Sequence, residues 1–309
     1  MAYAYETLLD IAKLNAGSLS IPLIEENLTY APELERFPAM TISGTSYDTL
    51  IRTDFPTGAF RNANEGTEPT KSSWANKKVE CFIYESSMEM DVKVAEASTR
   101  GPDYALALEA SGHAQRAVIN IGKQIWYGTA TDAKGFPGAA SIYNTDIAVD
   151  ATGSTASTGS SVWAVKFGPQ FCSLVFGQNQ TLAMRPWSQQ FITRSSKELL
   201  AWKSNLSAWV GMQWVNKNAL GRIYNLTAQT GKGLTDSLVA DLLAKFPVGY
   251  TPDALFMTRR SRAQLQKSRS AVTTALTGST PLAYAPLPME SNGIPIIITD
   301  SITNTETII

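Results

Sequence analysis

The residues able to do chemistry in this 309-residue chain are few: a lone histidine, two cysteines, one glycine-rich turn, scattered acids, a run of arginines and seven tryptophans. His113 would serve as a general base only beside a nucleophile, and no serine or cysteine nucleophile motif accompanies it. One histidine also cannot make a His-rich metal site, so a packed or surface position on a helix is the better reading. Cys81 and Cys172 lie inside apolar runs, far apart and without Cys or His at metal spacing, which reads as two buried free thiols. TGKGLTDS, around Gly231 and Gly233, lacks the GxxxxGK[ST] spacing of a phosphate loop, and no apolar strand feeds directly into it. Asp146, Asp150 and the other acids are scattered through loops without the clustered oxygen ligands of a calcium site. No catalytic residue, cofactor or metal is expected, and the chain reads as no enzyme.

Arg259, Arg260, Arg262, Lys267 and Arg269 form the densest basic run. A solvated face, or salt bridges toward another subunit, is the first reading; weak DNA-facing contact through Arg259, Arg260 and Arg262 is the second. Trp163, Trp187, Trp202, Trp209 and Trp214 recur in strand-like sequence, which favours core and interface packing over sugar stacking. Lys plus Arg (26) and Asp plus Glu (27) nearly cancel to a formal −1, so the chain is not made to grip nucleic acid, although it can enclose it. Hydrophobic content of 44% can fill a sizeable core, and the length suggests two domains or one with large extensions. No apolar run reaches the ~18 residues of a membrane span, and the N-terminal segment lacks a basic region followed by an apolar core. The expectation is a protein neither exported by that route nor embedded in a membrane.

The element that must position everything else runs over residues 101–128, bounded by glycine at both ends. Pro102 suits a first helical turn, Asp103 places a carboxylate at the positive end of the dipole, and Gly128 can stop the helix at φ > 0. A stripe of Ala107, Ser111, Ala114, Val118, Ile121 and Ile125 predicts one narrow packed face on a spine roughly 37 Å long. Before it, residues 4–15 read as a short amphipathic helix. Then Pro22, Pro32 and Pro38 break the chain into an extended arm, residues 1–45 in all, with a helical turn over 23–27. Its apolar residues Ile21, Leu23, Ile24, Leu28, Leu34, Phe37 and Met40 must lie on another surface, of the same chain or of a neighbour.

From Ser46 the pattern turns to strand, with Tyr47, Leu50, Ile51 and Phe55. A polar tip follows, and then a second strand from 77 to 97 in which Val79, Cys81, Ile83, Met88, Met90, Val92 and Val94 alternate, with a bulge near Ser86 and Ser87. Residues 46–96 therefore read as a protruding β-hairpin, hard to justify in a monomer but sensible lying across another subunit. The contact candidates are Tyr47, Phe55, Phe60, Trp74, Lys71, Lys77 and Lys78 on the finger, with Ile24 and Phe37 on the arm. Beyond the spine, residues 129–160 are loop-like. Trp- and Val-rich short runs from 162 to 226 then predict a twisted antiparallel sheet. The C-terminal part opens with a helix at 235–246 capped by Thr235, then a buried strand at 254–258, a basic helix anchored by Leu265 and a strand at 294–298: a mixed α/β unit. The whole is an α+β chain.

This order of parts resembles the major capsid protein of tailed bacteriophages, whose shell fold is shared with herpesvirus capsids and encapsulins. The resemblance rests on the arm, the hairpin at 46–96, the spine at 102–127, the segment WVGMQWVNKNALGRIYNL and the terminal IPIIITDSITNTET. It implies a peripheral domain with spine and sheet (97–230) and an axial domain made mainly of 231–309. It further implies pentamers and hexamers in an icosahedral virion shell, assembled in the host bacterial cytoplasm around double-stranded DNA that is enclosed without specific binding. Partners would be other copies of the chain, a separate scaffolding protein, a portal and decoration proteins. One relative crosslinks through Lys and Asn; Lys71, Lys77 and Lys78 lie near Asn64 and Asn76, but these types are common in loops and no crosslink is expected. The alternatives are an encapsulin-like compartment enclosing an enzyme, and a carbohydrate-binding β-rich protein using the tryptophans.

Overall fold

The computed structural model describes residues 6–16, 29–194, 196–277 and 285–309. Its N-terminal half runs α1 (Leu8–Ala16), α2 (Glu33–Arg36), β1 (Ala39–Thr41), β2 (Ser46–Asp54), β3 (Ser73–Glu80), β4 (Phe82–Asp91), α3 (Val92–Glu96), α4 (Pro102–Tyr127) and α5 (Ala139–Ile142). There follow β5 (Ala148–Asp150), β6 (Ser160–Val165), β7 (Cys172–Phe176), β8 (Ala183–Met184), β9 (Ser188–Arg194), β10 (Lys197–Trp214) and β11 (Leu220–Leu226). The C-terminal part holds α6 (Asp236–Ala244), β12 (Ala254–Met257), α7 (Arg259–Thr277), β13 (Glu290–Ser291) and β14 (Ile294–Ile298). The helical turn expected over 23–27 lies outside the described residues.

The spine α4 has the bounds its sequence signals predict, with Pro102 in the first turn. At its end Gly128 adopts φ +57° and its N–H closes on the Gln124 carbonyl. A Cβ at 128 would lie 2.0 Å from the Gly138 nitrogen, so backbone meets backbone here. Gly128→Ala is therefore expected to cost about 2 kcal/mol or more. By contrast Gly112, mid-helix with nothing near an added Cβ, should gain about 0.5–1 kcal/mol as alanine. Urea midpoints of the two variants should move in opposite directions. The expected stripe is only half right: Ile121 and Ile125 are buried, whereas Ala107, Ser111 and Ala114 are exposed and Ala105, Leu106 and Ala117 are buried in their place. Alanines stand all round this helix, so hydrophobic spacing does not fix its rotation. Its first half also packs on Ile11, Met90 and Ala95, its second on the sheets.

The first sheet has the order β1-β7-β10-β4, with β8 and β9 also on β10. The second has the order β13-β14-β12-β6-β11-β5, and β2 and β3 form a separate ribbon. Two expectations change here. The second finger strand does not continue past Cys81: β3 pairs with β2, while β4 leaves the finger and runs along β10. Cys81 gives its N–H to the Thr45 carbonyl, and β10 crosses so closely that a Cβ at Gly211 would meet the Glu80 carbonyl oxygen at 2.4 Å. The break thus sits at Cys81, not at Ser86 and Ser87, and it inverts the phase, leaving Ile83 62% exposed. The strand also ends at Asp91, whose carboxylate caps α3 by accepting from the Lys93 N–H at 2.8 Å, so Val92 and Val94 are helical.

The sheet expected over 162–226 is likewise divided, because β6 and β11 join the C-terminal strands. Both faces of β6 are covered. Trp163 and Val165 face the spine with Phe256, while Val162 and Ala164 lie with Leu255 and Met257 under Val239 and Leu242 of α6 and Leu265 of α7. A strand buried on both faces shows no alternation, so its partner cannot be read from its pattern. Trp126, Trp163, Phe256 and Phe37 meet at centroid distances of 5.0–6.0 Å where spine and sheets converge. Trp163 and Trp214 are buried, and Trp187, Trp202 and Trp209 pack against buried clusters, which places these tryptophans in the fold and leaves them no open sugar platform.

Candidate interaction surface

The outer part of the finger stands out because it lies open in the single subunit. Residues 52–71 are all exposed, and Leu50, Phe55, Phe60 and Trp74 show 63%, 69%, 108% and 52% of their surface. The β2–β3 register sets Arg52 opposite Trp74, and its guanidinium lies 4.4 Å over the Trp74 ring and 5.1 Å from that of Phe55. This planar cation between two aromatics keeps the apolar rings presented. Arg52 escaped the sequence reading, since a cross-strand pair becomes visible only once the register is known, and Leu50 was read as a strand residue without being placed among the contacts. Lys71 is exposed at the tip, and Lys78 is held by Glu80 at 2.6 Å.

At its base the finger is fixed to its own chain. The Tyr47 hydroxyl donates to Gln213 Oε1 at 2.5 Å, and burial pushes its pKa up to about 12. Lys77 donates to the carbonyls of Trp214 and Val215 at 3.2 and 3.5 Å, and desolvation lowers its pKa. Tyr47 and Lys77, proposed from sequence as contacts to a neighbour, thus anchor the finger within the subunit.

The described part of the arm also lies on its own chain. The Tyr30 carbonyl accepts from the Asp300 N–H, and the Tyr30 N–H donates to the Asp300 carboxylate. β1 pairs with β7, and Phe37 is 3% exposed. Phe37 is therefore a core residue and not an intersubunit contact: its ring completes the aromatic cluster beneath the spine. Ile24 lies outside the described residues. Glu33 joins three segments, its buried carboxyl accepting from Trp126 Nε1 at 2.8 Å and Thr299 Oγ1 at 2.5 Å. Burial raises its pKa, which the two hydrogen bonds oppose.

Where the N-terminal segment meets the spine, burial, a hydrogen bond to Glu109 and the charges of Glu109 and Asp10 push the Glu6 carboxyl up to about 7. Folding therefore holds a proton that the unfolded chain releases in the ordinary carboxylate range. Stability from this contact is complete at low pH and falls as pH rises through about 7. Amide exchange in α1 should quicken over that interval relative to a Glu6→Gln chain at the same pH; parallel curves would refute it.

The basic run is largely occupied. Arg260 donates to the carbonyls of Thr158 and Leu226, both at 2.9 Å, Arg259 lies 3.4 Å from Asp300, and Arg269 grips both oxygens of Asp236 at 2.7 Å. Arg262 is half-buried beside Arg259 and Ile296. Of the three residues considered for DNA contact, Arg260 is thus tied into its own subunit, while Arg259 is exposed and makes only a surface ion pair. His113 sits between Ser86 Oγ (2.6 Å) and Glu109 (3.0 Å), as a packed helix residue. Cys81 and Cys172 are free and buried; burial raises both thiol pKa values, that of Cys81 to about 11, so neither is an activated nucleophile. Among the described residues no group of three or more His, Cys, Asp or Glu could hold a metal, and no helix is long and apolar enough to cross a membrane.

A family model described as "Major capsid protein GP7" matches residues 34–309. The cryo-EM structure of bacteriophage Epsilon15 aligns over 100% of this chain and 98% of its own, with a TM-score of 0.78 and 18% identity, so the two share a fold. The bacteriophage JBD30 capsid covers 94% and 98% at TM-score 0.48 and 12% identity. The SrpI encapsulin of Synechococcus elongatus PCC 7942 covers 74% and 98% at 0.49 and 7%. A search of curated proteins finds no match.

Proposed function

Because the chain belongs to the major capsid protein GP7 family, we propose that its copies close, as pentamers and hexamers, into an icosahedral shell around packaged double-stranded DNA. The observation that carries this reading is the finger: residues 52–71, exposed in the single subunit, present Phe55 and Phe60, with the exposed Trp74 just beyond them, to a neighbouring copy. The near-neutral charge suits a wall that encloses DNA and later lets it go. The subunit acts by packing and carries out no reaction. Spine and first sheet form the peripheral part. The second sheet with α6 and α7 forms the part near the symmetry axes, which on this reading takes in β5, β6 and β11 as well as the C-terminal residues. A separate scaffolding protein, a portal and decoration proteins complete the particle, assembled in the host bacterial cytoplasm.

Negative-stain electron microscopy of the chain expressed with its scaffold should show closed shells. A monodisperse monomer under every assembly condition would count decisively against the proposal, and copurified enzyme cargo in place of DNA would replace it with an encapsulin-like compartment.

A further inference from the structure

β4 is the outermost strand of the first sheet. It pairs with β10 from Ala201↔Asp91 to Val210↔Phe82, and among the described residues no backbone group bonds to its other edge. Such an edge is a template for another strand, and proteins commonly blunt one with lysine, proline or a bulge. FIYESSMEMD contains neither lysine nor proline, and its Glu85 and Glu89 are engaged with Asn205 and Arg194 of the same sheet.

Beside the N-terminal half of β4 opens a cavity of about 380 Å³, bounded by the strand, the spine and the loop 131–136. Three cations line it, Arg116, Lys123 and Lys134, and none has a salt bridge among the described residues. The single acid in the lining, Asp132, accepts from the Lys134 N–H at 2.9 Å. Positive charge therefore exceeds negative here, in a protein whose overall charge is −1. Tyr84 and Ser86 face the spine, bonding Asn120 and His113, so Ile83 points to the opposite face, where it is 62% exposed.

We propose that this edge and groove receive an extended acidic segment of a partner polypeptide, added to β4 as a further strand. Its backbone completes the ladder, its carboxylates on the spine side meet Arg116, Lys123 and Lys134, and its alternate apolar side chains cover Ile83. The segment recognised is thus one that alternates acidic and apolar residues.

The test uses a fluorescein-labelled peptide of four Glu-Val repeats with the soluble full-length chain, read by anisotropy. Binding should saturate and weaken with added salt. It should fall at least about tenfold for Arg116→Glu combined with Lys123→Glu, and as far when alternate peptide amides are N-methylated, which removes ladder donors and leaves the charge. Lys134→Glu, in the exposed loop, gives a second variant should the pair on the helix disturb folding. A Lys-Val peptide should not bind. Absence of saturable binding, which is also what a groove filled by a second copy or by another segment of this chain would give, overturns the proposal. So does equal affinity for the N-methylated peptide.

Discussion

A chain in which residues 55–72 are replaced by Asn-Gly is expected to fold, stay soluble and fail to form shells. The replacement joins Asp54 to Ser73, which already face one another in the β2–β3 register, through a two-residue turn suited to the twist of a hairpin. Almost nothing inside the subunit is lost. Of the removed residues, 55–71 are exposed, and their bonds are to one another, such as Thr70 Oγ1 to the Thr57 carbonyl at 2.7 Å, or to the adjoining Asp54. The fixed base, with Tyr47 on Gln213 and Lys77 on the carbonyls after Trp214, remains. The loss falls on assembly. Docking one phenylalanine ring buries about 150–250 Å² at about 25 cal/mol per Å², or about 4–6 kcal/mol of gross burial per contact, part of which offsets the cost of association. Circular dichroism melts should coincide with those of the unaltered chain, while electron microscopy shows no closed particles; normal shells would refute the assignment of the tip to a neighbour.

The second large effect is on stability. Glu306→Ala should destabilise the subunit by about 3–5 kcal/mol, because it leaves Arg222 charged, buried and without its partner. The two side chains are 7% and 5% exposed and 3.1 Å apart. Glu306 also accepts from Ser161 Oγ at 2.5 Å and from the Tyr127 hydroxyl at 2.7 Å, so one carboxylate ties the spine to the second sheet. Arg222 Nε donates to Ser161, and its guanidinium lies 4.9 Å from the Trp163 ring and 5.0 Å from that of Tyr143. Replacing both partners, Arg222→Met with Glu306→Leu, should recover most of the loss, since no charge is then stranded. Thermal melts of the single and double variants decide it: a Glu306→Ala chain within about 1 kcal/mol of the parent would show that the pair bears no such weight.

Punctuation made the spine legible. Gly101, Pro102 and Gly128 mark its ends, and Thr235, whose hydroxyl accepts from the Leu238 N–H, likewise marks α6. The hairpin was legible in β2 and its polar tip, and the exposed Phe55, Phe60 and Trp74 follow from it. What was hidden depends on partners distant in sequence. Val79 and Ile83 share one alternating run, yet only Val79 is buried, because the close crossing of β10 falls between them. Phe37 reads as a stray aromatic on an arm until Trp126, Trp214 and Phe256 are brought around it. Arg222 and Glu306 offer no signal at all, being an ordinary arginine in a strand and an ordinary glutamate near the C-terminal end.

The position of that glutamate has a consequence for timing. Ile302, Thr303 and Glu306 seal the junction of spine and sheets, Ile302 within the core and the other two on the Tyr127 hydroxyl, while Thr299 completes the buried site of Glu33. On the ribosome these residues emerge after the arm, finger, spine and almost all the strands. Synthesis can therefore deliver local helices early, but the central cluster stays open until its last pieces arrive. A nascent chain that has not yet released residues 299–306 would lack the closed junction of spine and sheets, with Tyr127 and Glu33 still short of their partners.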